Sequence, residues 1–544
     1  MKSFLEKIEN LKISFGYSIL MFCFAIFLRT FLENFTNSNN SGMMQGFTDT
    51  FIGYPFWYLS IIFGIVIILS IFSGKPISKT IKLVSFGSFI ILLPPTIDAI
   101  FYQHQIIYNY IIGSWTEITK EYFTLFINTN SMGIGIKIEV ILVLTGIFYY
   151  IYLQKKNIFK SLLATWLVYT IIFIMMILPN IVYLIADIFS TLPKLSSLSV
   201  QNYFFPVDIG KQILISRTYL SDAIFGNVSF GMRHNLFSII MSQISLLIFT
   251  VFAICSAVFH FGLNKVIQII KNFRWLRIIH YFLLLLLGII IGQKNINPSS
   301  TFSNIYDWFS VLSLFIGLLF AWLFSVWEND EEDKEIDALS NPERPLIKNN
   351  FSVDEWKNIK WSFFIASLIF SLLAGYSAFI ITLVFIIVYH IYSSNPLRLK
   401  RYPGISSLLV GINACLAILL GFFFVSGVQP FNILPVGVLM GILIFYSCAE
   451  NIKNLKDIKG DAAEGILTIP VIFGESKGKI ITWLLVFLGS FAFPFLIFPN
   501  NKIFLLVPIL GGFSYFFIVK KAYKEKPLML FYLISFILIL FLSL

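Results

Sequence analysis

Charged residues are scarce in this chain. Asp, Glu, Lys and Arg together make up 12% of its 544 residues, whereas a soluble domain carries about 25%. Hydrophobic residues account for 58%, above the roughly 45–50% that is usual for a soluble domain. The composition therefore excludes a soluble globular protein and predicts a protein that uses lipid as its solvent.

Cysteine and histidine are also few, and their spacing argues against two kinds of site. The four cysteines lie in apolar segments without CxxC spacing, so neither a disulfide framework nor a zinc site is indicated. The five histidines are dispersed and form no HxxxH or HExxH pattern. We assign neither residue type a functional role.

Long apolar runs recur along the whole chain and are separated by short polar stretches. Because these runs are continuous and not alternating, they predict helices that cross a membrane and not the strands of a barrel. We expect an all-α polytopic membrane protein with about fifteen transmembrane helices. The predicted spans lie near residues 14–32, 54–72, 83–100, 135–153, 161–186, 236–260, 278–292, 305–326, 357–373, 375–392, 405–425, 431–449, 479–497, 502–519 and 527–544.

The net charge of +11 indicates membrane topology. Most of the Lys and Arg residues lie in short loops between predicted spans, and alternate loops are basic, as the positive-inside rule requires of cytoplasmic loops. We therefore expect a cytoplasmic N-terminus, no nucleic-acid partner, and a multi-pass protein of a bacterial or archaeal cell membrane. Protein partners cannot be named from the sequence.

Two membrane domains are predicted. Residues 187–235 form a long, mostly polar segment, and the basic segment 261–277 then opens a series of closely spaced apolar runs. We expect an N-terminal membrane domain of unknown function with about six helices at 1–264, and a second domain with about nine helices at 265–544.

The first acidic segment, WENDEEDKEIDALSNPERPL, directly follows an apolar run. Asn329, Asp333 and Asp337 repeat at four-residue spacing, and Asp330 lies three residues before Asp333. If the preceding helix continues, all four side chains face one side. Neighbouring carboxylates repel one another unless a cation neutralises them, and Mg²⁺ is usually held by one or two carboxylates together with phosphate oxygens of a substrate. The segment therefore predicts a magnesium site.

The second acidic segment, ENIKNLKDIKGDAAEGILTIPVIFG, also follows an apolar run. Glu450, Asn454, Asp457 and Asp461 form another one-sided polar face at helical spacing, with Lys453 beside it. Two acidic helix ends on one side of the membrane could hold metal ions bridged by a diphosphate, and the ions would promote cleavage of its carbon–oxygen bond. For either cluster alone, a solvated polar face is the alternative.

At these residues the chain resembles the UbiA superfamily of intramembrane prenyltransferases. The motif NDxxDxxxD is present at 329–337 and is followed by the family-like NPERPL at 341–346. A second motif, KDxxGDxxxGxxTxPVxxG, is matched at 456–474, and IYSSNPLRLKR at 391–401 is similar to the family's basic loop. The resemblance covers roughly residues 265–544 and implies a nine-helix UbiA-like bundle. The N-terminal half is not recognised.

The resemblance also implies roles for the motif residues. The implied ligands of Mg²⁺ are Asn329, Asp330, Asp333, Asp337, Asp457 and Asp461, and the residues expected to be catalytic are Asp330, Asp333, Asp457 and Asp461. The implied substrate-binding residues are Arg344, Tyr392, Arg398, Lys400 and Lys453. For Arg344, Arg398 and Lys400 the alternative is a role in topology alone, and for Tyr392 it is an interfacial anchor.

The function that the resemblance implies is Mg²⁺-dependent transfer of a prenyl group from a prenyl diphosphate to an aromatic or lipid acceptor within the membrane, in lipid or quinone biosynthesis. The alternatives are phosphoribosyl transfer to a polyprenyl phosphate, and a non-catalytic membrane scaffold or transporter that retains the acidic motifs. Asn454 and Ala449 stand where many members have an acidic residue and an Arg. The acceptor therefore remains open.

Overall fold

The computed structural model describes residues 2–13, 15–36, 53–102, 115–125, 133–181, 232–295, 305–348, 350–426, 435–463, 465–497, 505–520, 527–534 and 537. Its secondary structure is helical, and the described residues contain no strand. The all-α prediction is confirmed. Most of the predicted polar segment 187–235 lies outside the described residues.

Contacts between Cα atoms separate the described chain into two compact units, the first ending at Val266 and the second beginning at Ile267. The helices of the first unit are α1 Lys2–Glu9, α2 Phe15–Thr36, α3 Tyr54–Ser73, α4 Ile77–Gly87, α5 Leu93–Tyr102, α6 Trp115–Phe123, α7 Ile134–Lys155, α8 Ile158–Met176 and α9 Met232–Phe261. A 3₁₀ segment, Ser88–Leu92, joins α4 to α5, so these helices together make one long broken helix.

The second unit contains the two acidic segments. Its described helices, which begin with α10 because that helix spans the boundary between the units, are α10 Leu263–Lys271, α11 Trp275–Asn295, α12 Ile305–Glu332, α13 Lys334–Ser340, α14 Val353–Ala374, α15 Tyr376–Ser393, α16 Ile405–Ser426, α17 Val436–Ala449, α18 Asn451–Asn454, α19 Ile458–Ala463, α20 Ile469–Phe473, α21 Glu475–Ser490 and α22 Leu506–Phe513.

Thirteen helical stretches of the described chain are long and apolar enough to cross a membrane, six of them before Val266 and seven after it. The span predicted near 502–519 corresponds to a shorter apolar helix, Leu506–Lys520. Half of the span predicted at 527–544 lies outside the described residues. The chain is thus an integral multi-pass membrane protein, but the predicted number of about fifteen helices is not confirmed.

The core of the second unit depends on a close contact between α11 and α16. A Cβ atom at Gly421 would lie 2.1 Å from the carbonyl oxygen of Leu285, and one at Gly288 would lie 2.0 Å from that of Ile418. Only glycine leaves room for such an approach of two helix backbones, which is a common way for membrane helices to associate.

The helix α12 reaches beyond its apolar part and presents the first acidic segment. Trp327, near the end of the apolar part, is fully buried and stacks on Trp356 of α14 with ring centroids 5.1 Å apart. The indole N–H of Trp356 also donates to the carbonyl oxygen of Trp327 at 3.1 Å. These contacts hold the end of the apolar part of α12 in place, directly before the first acidic segment.

Candidate functional site

Both acidic segments contribute to one cavity of about 220 Å³ in the second unit. Asn329, Asp333 and Asp337 reach it from the first segment, and Asp457 and Asp461 reach it from the second. The predicted substrate-binding residues that line it are Arg344, Tyr392, Lys400 and Lys453. Residues far apart in the sequence are therefore brought to one place.

The first acidic segment keeps helical spacing although α12 ends at Glu332. The backbone N–H of Asp333 donates to the carbonyl of Asn329 at 2.9 Å, and that of Asp337 donates to the carbonyl of Asp333 at 2.8 Å. Asn329, Asp333 and Asp337 consequently share the face that lines the cavity.

Asp330 departs from the predicted common face. It is 1% exposed and does not line the cavity. Its Oδ2 accepts from Asn272 Nδ2 at 2.9 Å, and its Oδ1 accepts from Arg274 and from Arg344, the latter at 2.5 Å. Because both arginines line the cavity, Asp330 in this structure holds two cationic side chains at the cavity wall. Its predicted role as a metal ligand stays a prediction.

Asn272 and Arg274 were missed as site residues in the sequence. Their only sequence signal was membership of a basic loop, which the positive-inside rule explains without any site. The contact with Asp330 joins residues more than fifty positions apart, so spacing within a motif cannot reveal it.

Asp333 is paired with two cations. It accepts from Lys400 and from Arg398, the latter at 3.0 Å. Burial opposes its charge, but Lys400 and Arg398 outweigh this effect and lower the pKa of Asp333. Arg398 also donates to the carbonyl of Glu332 at 3.3 Å and does not line the cavity. Arg398 thus holds Asp333 in place at the cavity wall without lining the cavity itself.

On the second segment, Lys453 forms an ion pair with Glu450 and contacts the hydroxyl of Tyr392. Its ammonium group also lies 4.6 Å from the centroid of the Tyr392 ring. The hydroxyl of Tyr392 donates to Glu450 at 3.4 Å. These three side chains form one polar cluster at the cavity wall.

Asn341 connects the two acidic segments directly. Its side-chain amide donates to Asp337 at 3.1 Å and to Asp457 at 3.3 Å. Asn341 begins the sequence NPERPL, which also contains Arg344. This stretch therefore supplies both a bridge between the acidic segments and a cationic side chain.

Two carboxylates of the cavity are electrostatically unfavourable as anions. Burial raises the pKa of Asp461 to about 7, and the neighbouring Asp457 adds to the effect. Burial likewise raises the pKa of Asp337 to about 7, with Asp330 and Asp333 opposing Arg344. A bound cation would relieve this repulsion.

The donor set fits a hard divalent ion that shares its coordination with a substrate. Within the described residues, no three His, Cys, Asp or Glu side chains form a ready-made metal site. The cavity offers carboxylate and amide oxygens from both segments, which suits Mg²⁺ because that ion takes its remaining ligands from water and phosphate oxygens.

Aromatic side chains form the deeper wall of the cavity. Tyr281, Trp322, Tyr389 and Tyr446 line it, and the hydroxyls of Tyr281 and Tyr389 lie 2.5 Å apart. The rings of Tyr281 and Trp322 are 5.4 Å apart. Nothing in the sequence singles out these rings, since the chain is aromatic throughout and lipid contact explains aromatic residues equally well.

Comparison with known proteins assigns a family to this half of the chain. The model of the UbiA prenyltransferase family matches residues 299–540. A digeranylgeranylglyceryl phosphate synthase from Sulfurisphaera tokodaii is 27% identical over 29% of this chain and 57% of its own length. One from Methanosphaera stadtmanae is 26% identical over 36% of this chain and 72% of its own length.

A third synthase of that name, from Methanococcoides burtonii, is 27% identical over 46% of this chain and 92% of its own length. A solved UbiA homologue from Archaeoglobus fulgidus bound to DMAPP and Mg²⁺ superposes with a TM-score of 0.39 and 18% identity, covering 49% of this chain and 95% of that one.

The fold and the cavity define a multi-span, all-helical membrane protein with paired acidic segments. Its C-terminal half matches the model of the UbiA prenyltransferase family at residues 299–540. The resemblance predicted from the motifs is thereby confirmed, over a slightly shorter range than the predicted 265–544.

Proposed function

We propose that the C-terminal half transfers a prenyl group from a prenyl diphosphate to a lipid acceptor in a Mg²⁺-dependent reaction. The observation that supports this proposal most is the single cavity that combines acidic residues of two segments, cationic side chains and an aromatic wall. A solvated loop face would not bring these three chemistries together.

Each group of side chains has a role suited to its chemistry. Asn329, Asp333, Asp337, Asp457 and Asp461 would hold Mg²⁺, which when bound supplies positive charge to the diphosphate as the leaving group departs. Arg274, Arg344 and Lys400 line the cavity and pair with Asp330, Asp337 and Asp333. In the presence of substrate these cations would turn to the phosphate oxygens.

The aromatic wall suits the carbon that loses the diphosphate. Positive charge develops there as the carbon–oxygen bond breaks and the diphosphate takes the bonding electrons. The faces of Tyr281, Trp322 and Tyr389 attract cations through their ring quadrupoles. Tyr392 has a ring that already lies beside Lys453, so we place it at the polar end of the cavity.

The acceptor we propose is a hydroxyl group of a glyceryl phosphate lipid, because the relatives are named digeranylgeranylglyceryl phosphate synthases. The acceptor oxygen would form the new carbon–oxygen bond and lose its proton. Asn454 and Ala449 both line the cavity and are uncharged where many family members carry charge. They are therefore the positions at which we expect acceptor selectivity to differ.

We further propose that the two domains divide near residue 265 and that the acidic segments face the cytoplasm. The basic loops support this orientation. Reaction of a Lys156→Cys variant with an impermeant maleimide only from outside the cell would contradict it.

The acceptor can be tested with purified full-length protein in nanodiscs. Radiolabelled geranylgeranyl diphosphate is offered with Mg²⁺ and either geranylgeranylglyceryl phosphate or the same lipid with its free hydroxyl methylated. A labelled product only with the free hydroxyl supports the proposed acceptor. A product formed from neither lipid, but from an aromatic acid, would overturn the acceptor and leave prenyl transfer in place.

A further inference from the structure

The N-terminal unit contains a second cavity, of about 620 Å³, whose walls are almost entirely apolar. They come from α3, α4, α7 and α8, with α1 and α2 at the ends. The volume lies within the roughly 300–1,000 Å³ that is usual for ligand sites. Apolar walls of this kind favour a ligand that is mainly hydrocarbon.

The cavity is long. Helix α7 lines it from Ile136 to Tyr150, which is about 21 Å at a rise of about 1.5 Å per residue. This is most of the about 30 Å thickness of a hydrocarbon core. The shape therefore fits an extended chain better than a compact ring system.

A buried group of charges closes one end. Arg29 of α2 is 3% exposed and lines the cavity together with Glu139 of α7. Its Nε donates to Glu33 at 2.9 Å, and its Nη1 donates to Glu139 at 3.1 Å and to the carbonyl of Ile91 at 3.0 Å. Arg29, Glu33 and Glu139 lie on helices long and apolar enough to cross a membrane, and ionisable groups within such helices are costly and commonly mark a functional site.

The helix α1 covers the opposite end. Phe4, Leu5 and Ile8 of this helix line the cavity. Glu9, which is 1% exposed, fixes the helix there by accepting from Lys75 at 3.0 Å and from the hydroxyl of Tyr150 at 2.9 Å. A ligand in the cavity thus has an apolar end under α1 and a polar end beside Arg29.

The charges at the polar end indicate the head group. One arginine and two glutamates give a formal charge of −1, which opposes a phosphate or a carboxylate. One oxygen of Glu139 accepts from Arg29, and the other has no hydrogen-bond partner among the described residues. It can accept a hydrogen bond from a ligand.

We propose that the N-terminal unit binds a long-chain lipid alcohol, with the hydrocarbon chain along α7 and the hydroxyl group donating to Glu139. The site lies in a different unit from the acidic cavity. The proposal that this site binds a lipid alcohol is therefore independent of the proposal that the C-terminal half transfers a prenyl group.

The test is binding of tritiated phytol to the full-length protein in nanodiscs. Gly146 of α7 lines the cavity, and a Cβ atom placed there meets no atom within 4 Å. Gly146→Phe therefore adds a ring at the cavity wall from a position with open space at its Cβ atom, and it should weaken phytol binding at least about tenfold. Ile141→Phe adds the same ring at an exposed position of α7 that does not line the cavity, and this variant should bind phytol as the wild type does.

The head group is tested separately. Glu139→Leu removes the acceptor and should weaken binding about tenfold, as expected for loss of a hydrogen bond to a charged group. Glu139→Gln keeps an acceptor oxygen and should stay near wild type. Phytyl phosphate and the hydrocarbon phytane should both compete poorly with phytol.

Equal binding by the Gly146→Phe and Ile141→Phe variants would overturn the site. Competition by phytyl phosphate as strong as that by phytol would overturn the head-group assignment. If Gly146→Phe lowers the melting temperature of the protein, Gly87→Phe replaces it, because Gly87 lines another wall and also has open space at its Cβ position.

Discussion

At the scale of single residues, the acidic cavity holds carboxylates in contrasting surroundings. Asp333 is paired with Lys400 and Arg398, which lower its pKa, whereas burial and a neighbouring carboxylate raise the pKa of Asp461 to about 7. The two aspartates thus differ in their surroundings, because Asp333 already forms ion pairs with cationic side chains whereas the charge of Asp461 is opposed by burial and by Asp457. Asp461 is one of the places where the cavity needs a further cation.

Asp461→Asn should separate stability from metal binding. In EDTA the variant should melt no lower than the wild type, because the substitution removes a buried charge and its repulsion from Asp457. Addition of Mg²⁺ with a prenyl diphosphate at about 100 times the dissociation constant should stabilise the wild type by about 2.7 kcal/mol and the variant far less. Thermal melting followed by fluorescence measures both. Equal stabilisation of the two proteins by the ligands would contradict the role of Asp461.

Asp330→Asn is the substitution matched to Asp461→Asn, at a buried carboxylate that does not line the cavity. It leaves Arg274 and Arg344 beside a neutral group, and removal of one partner from a buried ion pair typically costs about 3–5 kcal/mol. We expect a lower melting temperature already in EDTA, in contrast to Asp461→Asn. A variant that melts like the wild type in EDTA, yet loses the response to Mg²⁺, would show that Asp330 acts as a ligand and not as a support for the arginines.

Asn341→Ala should weaken the link between the two acidic segments. Each of the hydrogen bonds to Asp337 and Asp457 is worth about 1 kcal/mol, so the affinity for Mg²⁺ with prenyl diphosphate should fall about thirtyfold. Asn358→Ala, an exposed position on α14, is the control and should leave the affinity unchanged. Unchanged affinity for Asn341→Ala in isothermal titration would exclude the bridge as a determinant of the site.

Sequence reasoning found the site residues that helical spacing places on one face, such as Asn329, Asp333 and Asp337. It placed Asp330 on the same face, because spacing alone cannot show that Asn272 and Arg274 approach from another helix. Asn341 fell within the quoted motif, but its contact with Asp457 joins positions more than a hundred residues apart. Contacts of this kind are set by packing and leave no local pattern.

At the scale of helices, apolar runs predicted the spans well where polar loops bound them. The helix Tyr54–Ser73 matches the run at 54–72, since Pro55 near its start and Gly74 in a left-handed conformation after it mark its ends. The run at 83–100 was placed too late, because the helix already begins at Ile77, where Lys79 and Lys82 made the sequence look like a loop. Charged residues at a helix end hide its first turns from a hydropathy reading.

Close packing of α11 against α16 gives a prediction for the helical scaffold. Gly421→Ala places a Cβ atom 2.1 Å from a backbone oxygen, so the helices must separate, and we expect a loss of about 1–3 kcal/mol in the free energy of unfolding. Gly146→Ala, where the added atom meets nothing within 4 Å, is the control and should not destabilise the protein. A Gly421→Ala variant as stable as the control, measured by thermal melting in detergent, would show that the two helices can move apart at no cost.

At the scale of the whole molecule, the chain combines two membrane units with different cavities. The cavity of the C-terminal unit is small, acidic at one end and aromatic at the other, and the cavity of the N-terminal unit is larger and apolar. The first was predictable because its polar residues stand out in an apolar chain. The second was not, because Ile, Leu and Val that line a cavity cannot be told from those that face lipid.

The most direct test of the account is transfer of radiolabelled prenyl from its diphosphate into lipid by the purified protein. Wild type is assayed with Mg²⁺ and with EDTA, beside Asp333→Ala and Asp461→Ala. We predict a labelled lipid that requires Mg²⁺ and falls at least about a hundredfold in each variant, as loss of about 2.7 kcal/mol of transition-state stabilisation would produce. A product that persists in EDTA or in both variants would contradict the assignment of the acidic cavity as the catalytic site.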